Sequence, residues 1–220
     1  MKKIAVIGAT GMAGSAIVKE AIKRGYDVTA ISRTQANLEK LANDVGNGTN
    51  VNIIVKDAFT LTKNDLDQYD VIIDAFACAP NQAYLHVDLA TKLIAMFRET
   101  DSPRLFFILG AGSLHTGSDD HLVVKDMMKD PKNDSFIEVP KNQLSEYKFL
   151  QTVNNVNWVG VSPSATFKPG NKTDFKLGNN NILTNDQGVS ETTSGTMAVA
   201  IMNEVDNPKH HQERFTVVND

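Results

Sequence analysis

One cysteine, Cys78, stands in 220 residues, so no internal disulfide framework is available and a reducing, cytoplasmic setting is expected. No uninterrupted apolar run approaches the roughly 18 residues of a membrane span. Lys2 and Lys3 precede an apolar stretch as in a secretion leader, but Gly8, Gly11 and Gly14 interrupt it and Lys19 and Glu20 follow at once. Basic residues are scattered, no aromatics interleave with them and the formal charge is −4, so no nucleic-acid partner is expected. No His, Cys, Asp and Glu grouping has the spacing of a metal site. Neither an internal repeat nor a linker divides the chain, so residues 1–220 are expected to form one domain.

Short β-branched runs alternate with longer helical patterns, the signature of βαβ units and a parallel sheet. Seven runs read as strands: 3–8, 27–32, 51–56, 71–76, 104–109, 158–162 and 215–218. Helical periodicity falls near 13–24, 35–43, 61–68, 82–99, 144–153 and 195–205. The runs "VIIDAF" and "RLFFILG" are continuously apolar, as parallel strands buried on both faces are. The reading is an α/β fold of Rossmann type, a doubly wound parallel sheet with helices on both faces. Two segments break the rhythm. Residues 111–139 read as a long polar loop with a short helix at 122–128, and residues 164–185 as an irregular excursion or small hairpin. Together they form a small substrate-side region, the kind of place where lids occur.

Between the first strand and first helix lies Gly8-Ala-Thr10-Gly11-Met12-Ala13-Gly14. In that context the glycines have distinct work: Gly8 for the tight turn, Gly11 for close approach of a pyrophosphate, Gly14 for helix–sheet packing. The helix N-terminus adds free N–H groups and a positive dipole end. A dinucleotide is the expected ligand. The second strand ends in Ser32-Arg33-Thr34, where an acid would bind the ribose of NAD and an arginine accommodates the 2′-phosphate of NADP. NADP(H) is therefore the expected cofactor. Further strand ends should line the same crevice, with Asp57 and Ala58 at the adenine, Phe76 and Ala77 at the ribose, and Gly110, Ala111, Gly112 and Ser113 by the nicotinamide. Cys78 reads as a small buried filler and His86 as a surface or cap residue, while His210 and His211 fall in a polar turn.

With these residues in view, the chain resembles the atypical short-chain dehydrogenases of the NmrA-like group, in particular the NAD(P)H-flavin reductases similar to biliverdin reductase B. The resemblance rests on "IGATGMAGS", "VTAISR", "LGAGSL", "VSPSATFKPG" and "RFTVV". It implies NADP(H) binding and reduction of a flavin-like or other planar acceptor. It also implies Ser113 beside the nicotinamide, His115 as a proton donor, and Ser162, Pro163 and Ser164 flanking the ring, with Phe167 in an apolar wall or in the core. Ser113 has a second reading as a hydroxyl that satisfies loop backbone, and His115 as a solvated loop residue. The Tyr-x-x-x-Lys pair of ordinary short-chain dehydrogenases is missing: Ala30, Ile73, Asp88 and Gln151 stand four residues after the tyrosines. Phe136 and Ile137 occupy the place where some similar proteins carry a tyrosine. Two rival readings follow, an NADP-binding redox sensor with little turnover and a sugar-nucleotide epimerase-like enzyme.

Overall fold

In the first strand every inward step is apolar, and successive side chains enter opposite layers. Ile4 and Val6 join one buried cluster while Ala5 and Ile7 join the other. A strand buried on both faces needs helices on both faces, and the structure, a computed structural model describing residues 1–45 and 51–220, supplies them. The first half runs β1 (Lys3–Ile7), α1 (Met12–Lys23), β2 (Asp27–Ser32), α2 (Gln35–Asp44), β3 (Asn52–Val55), α3 (Lys63–Leu66), β4 (Val71–Asp74) and α4 (Leu85–Met96). Then come β5 (Thr100–Ile108), β6 (His115–Thr116), β7 (His121–Leu122), α5 (Val123–Met127) and α6 (Glu138–Leu150). The chain closes with β8 (Val156–Pro163), β9 (Thr166–Lys168), β10 (Phe175–Gly178), β11 (Glu191–Thr193), α7 (Ser194–Asp206) and β12 (Glu213–Asn219).

The main sheet has eight strands in the order β10-β12-β8-β5-β4-β1-β2-β3, parallel throughout except for β10 against β12. Helices α1, α2 and α7 pack one face and α3, α4 and α6 the other. From β1 the chain winds outward through β2 and β3, then returns to β4 on the other side of β1. The crevice at that reversal, outside the carboxyl ends of β1 and β4, is where such sheets bind ligands.

Several boundaries differ from the sequence reading. Helix α6 begins at Glu138, six residues before its expected start, because Pro140 sits in the first turn, where its missing N–H leaves no helical bond unmade. Helix α3 is a single turn, and α4 starts at Leu85 after a 3₁₀ turn at Pro80–Gln82. The expected long loop after β5 is built structure. It holds a 3₁₀ turn at Ala111–Ser113, the β6–β7 hairpin, α5 over most of the expected short helix, and a second 3₁₀ turn at Pro131–Asn133. The second irregular segment is no simple hairpin: β9 pairs with β11, and β10 extends the main sheet. Among the described residues no helix is long and apolar enough to cross a membrane, and no group of three His, Cys, Asp or Glu is placed to hold a metal.

Candidate cofactor site

The turn after β1 is built from short-range necessities. Gly8 adopts φ +74, a left-handed backbone, and a Cβ there would strike the carbonyl of Ala75 after β4. A Cβ on Gly14 would overlap the Gly8 carbonyl, so only glycine lets α1 dock this closely. Gly11 differs. It caps α1 with ordinary φ −75 and ψ 174, and a Cβ there would touch only the Gly8 carbonyl oxygen, at 3.3 Å.

Around this turn lies a cavity of about 190 Å³ lined by the ends of four adjacent strands. Ile7, Gly8, Thr10 and Gly11 follow β1, Ile31 to Arg33 end β2, Lys56 to Ala58 follow β3, and Ala75 to Ala77 follow β4. The Thr10 and Ser32 hydroxyls are 2.8 Å apart, tying the glycine turn to the end of β2. Asp57 accepts a hydrogen bond from its own chain at Phe59 N–H, so its carboxylate is already engaged in capping the next turn. Lys56 is a cation that the sequence reading passed over, although it stands beside Asp57 at a strand end. It pairs with Asp65 at 2.6 Å, and that contact above all holds the Asp65 carboxyl down at about 2. Arg33 is exposed and has no carboxylate partner among the described residues.

Of the expected cofactor residues, Gly8, Thr10, Gly11, Ser32, Arg33, Asp57, Ala58, Phe76 and Ala77 thus share one cavity. Met12, Ala13 and Gly14 belong to the first turn of α1 beside it, and Met12 also lines a second cleft against Gly170 and Ser194.

The residues expected at the nicotinamide gather separately, outside β5 and β8. The Gly110 carbonyl accepts from the Ser113 hydroxyl at 2.9 Å and from the Ser162 hydroxyl at 3.3 Å, so the two strand ends are knotted together. Ala111 is half-buried and Gly112 packs against Pro140 of α6. Ser113 is 1% exposed, and its hydroxyl also accepts from the Arg214 guanidinium at 2.7 Å. Both roles of that hydroxyl are in use. Pro163 is buried, and Ser164 turns its hydroxyl to the Val217 carbonyl, so its side chain serves β12 rather than the crevice. Phe167 packs on the core cluster. His115 is half-exposed, with Nδ1 2.9 Å from the Asp120 carbonyl.

Arg214 was not singled out from sequence, where it reads as a charge at the start of a strand. It is 2% exposed, lies 4.0 Å above the Tyr147 ring and donates to Asn180 as well as to Ser113. Burial pulls its guanidinium down to about 10, which leaves it charged at neutral pH. Two expectations fail. His86 is 5% exposed, because it lies on the face of α4 turned toward α6, and burial pulls it down to about 4. Cys78 is half-exposed rather than a core filler, since the segment after β4 runs along the rim before α4 begins.

A doubly wound parallel sheet with a glycine turn and a strand-end cavity at its switch point is the arrangement of a dinucleotide-binding protein of Rossmann type. The comparisons agree. A family described as NAD(P)H-binding matches residues 8–208. The chain is 35% identical to the Bacillus subtilis protein YwnB over 99% of both chains. A crystal structure of a Lactobacillus casei protein is 37% identical over 99% of both chains with a TM-score of 0.89. One of a Streptococcus pneumoniae protein, named as a candidate NADH-flavin reductase, is 33% identical over the full length of both with a TM-score of 0.86. The chain belongs to this NAD(P)H-binding family, in keeping with its resemblance to the atypical short-chain dehydrogenases of the NmrA-like group.

Proposed function

We propose that the chain is an NADPH-dependent reductase acting on a flavin-like planar acceptor. The observation that carries this reading is the cavity itself, whose β2 and β3 ends present Arg33 and Lys56 where a phosphate-bearing ribose would lie. The glycine turn and the N-terminus of α1 would hold the pyrophosphate, and the knot of Gly110 to Ser113 with Ser162 would flank the nicotinamide. The chemistry supplied by the bound cofactor is hydride donation. The residues around it bring orientation and exclusion of water, and a flavin ring that spreads its own negative charge asks for little more. The missing Tyr-Lys pair and the engaged Ser113 hydroxyl fit such an acceptor better than a simple carbonyl. The name of the Streptococcus pneumoniae relative supports the same choice.

The planar fork of Arg33 is matched to phosphate, and a charge-assisted contact of this kind contributes about 1.5–3 kcal/mol. NADP(H) is therefore expected to bind at least about tenfold tighter than NAD(H), and Arg33→Ala to erase the difference. Equal dissociation constants in the parent protein would refute the preference.

Stopped-flow oxidation of NADPH by free flavin tests the reaction. Ser113→Ala is expected to slow turnover by about tenfold, as loss of a group that shapes the turn rather than one that bonds a developing charge. A loss of about a thousandfold would place an oxyanion at Ser113 and make the substrate a carbonyl. If NADPH binds yet no flavin, quinone or carbonyl is reduced, the redox-sensor reading stands in place of the reductase.

A further inference from the structure

The two segments that break the alternation of strands and helices, after β5 and after β8, meet at one buried side chain. Arg214 lies near the start of β12, and to reach the end of β5 it has to pass over β8. It does so beside Gly160, where a Cβ would stand 3.4 Å from the Arg214 Cβ. Nη1 then donates to the Ser113 carbonyl at 3.1 Å and to the Ser113 hydroxyl at 2.7 Å, while Nη2 donates to the Asn180 side-chain carbonyl at 2.9 Å. The Tyr147 ring of α6 packs 4.0 Å from the guanidinium, and its hydroxyl donates to the same Asn180 oxygen at 3.1 Å. Alongside, the His115 N–H donates to the Asn180 carbonyl at 2.8 Å and the Ile182 N–H to the His115 carbonyl at 2.9 Å. Ser113 and His115 belong to the first segment, Asn180 and Ile182 to the second. The guanidinium and this short backbone ladder join them.

Among the described residues the other buried arginine, Arg104, faces the Glu204 carboxylate as an ion pair. Arg214 has no such partner. Its acceptors among the described residues are neutral oxygens, and its buried Nε has none. A buried cation without an anion is unfavourable for folding, and an apolar side chain of similar length would avoid that cost. What the guanidinium supplies is direction, a planar fork whose donors stand at fixed angles and so order the groups they bind. Ser113 shows the effect. Because its Oγ accepts from Arg214, its single proton goes to the Gly110 carbonyl, which also accepts from Ser162. The turn from Gly110 to Ser113 is thus set from behind, by a residue 101 positions away.

We propose that Arg214 is a positioning residue for the acceptor side of the site, holding the Ser113 turn and the Asn180 segment in one frame against which a planar acceptor is oriented. This rests on the placement of the nicotinamide beside Gly110 to Ser113 in the proposed function. Arg214 acts through Ser113 and is itself buried behind the turn. It is not among the residues lining the cavity at the ends of β1 to β4, so the hold on the phosphate-bearing ribose is independent of it.

Arg214→Met tests this, since it keeps an apolar stem against Tyr147 while removing the fork and leaves no carboxylate unpaired. Adenosine 2′,5′-bisphosphate, which carries the phosphate-bearing ribose without the nicotinamide, is expected to bind the variant within about twofold of the parent. With free flavin as acceptor, kcat/KM is expected to fall by about ten- to thirtyfold, more through KM than through kcat. Hydrogen exchange at the His115 and Ile182 amides is expected to quicken by at least about tenfold, while Val159 in the middle of β8 stays protected. Ser113→Ala combined with Arg214→Met is expected to lose no more than Arg214→Met alone, because the arginine acts through the serine. Losses that multiply in the double variant overturn the proposal, as does unchanged exchange at His115 and Ile182 or a flavin kcat/KM within about twofold of the parent's. Should Arg214→Met fold poorly, Asn180→Ala removes the other end of the fork at an exposed position and is expected to raise the flavin KM and quicken the same two amides. Parent values there overturn the proposal equally. A parent protein that reduces no flavin, quinone or carbonyl overturns the reductase reading and the proposal with it, whereas a parent that reduces flavin and is matched by Arg214→Met overturns the proposal alone.

Discussion

Replacing Gly11 by valine is expected to abolish the rise in melting temperature that NADPH produces, with the variant's own melting temperature within a few degrees of the parent's. The backbone at Gly11 is one that any residue adopts, a Cβ there presses only on the Gly8 carbonyl at 3.3 Å, and valine in place of glycine at a helix cap costs about 1 kcal/mol. The side chain instead grows into the cavity, where the pyrophosphate would approach. With NADPH at a hundred times its dissociation constant the parent gains about 2.7 kcal/mol, roughly 5–10 °C for a chain of this size. A variant that keeps this gain would show that the glycine turn is not the cradle. Gly8 and Gly14 would be poor substitutes in this test, because a Cβ at either collides with backbone and the fold itself would suffer.

The largest loss of stability is expected from Arg104→Met. Arg104 is 9% exposed and donates to the Glu204 carboxylate at 2.5 Å, to the Glu204 carbonyl at 2.8 Å and to the His210 carbonyl at 2.6 Å. Glu204, 5% exposed, also accepts from the Lys209 and His210 N–H groups and from the His210 ring. Removing the arginine leaves a buried carboxylate short of its cation and two carbonyls short of donors. Breaking one side of a buried pair costs about 3–5 kcal/mol, which at about 2–4 °C per kcal/mol lowers the melting temperature by roughly 6–20 °C. Although burial pushes Glu204 up, the His210 N–H, Arg104 and their neighbours together hold it below its ordinary value. A depressed carboxyl stabilises the fold above its unfolded pKa, and that contribution is lost as pH falls through the folded value. Urea unfolding of the parent should therefore show an acid limb that Arg104→Met reduces. A change under about 1 kcal/mol at pH 7 would mean that His210 alone satisfies Glu204.

Local chemistry was enough for much of the protein. The alternation of apolar runs and helical periods specified a parallel sheet covered on both faces, since a strand with no polar side has no other way to be buried. The spacing of Gly8 and Gly14 after β1 specified the turn, because the requirement for glycine at each is met within a few residues or at the adjoining strand end. Arg33 and Asp57 were legible for a related reason: parallel strands bring successive carboxyl ends to one edge, so position in the chain becomes position in the site. Other features had no local sign. The start of α6 at Glu138 depended on a first turn tolerant of Pro140, and the burial of His86 on α6 packing against α4. Arg214 meets Ser113 across 101 positions of sequence. A buried charge reads in sequence like an exposed one. Only the tertiary packing decides whether water, a partner or neither surrounds it.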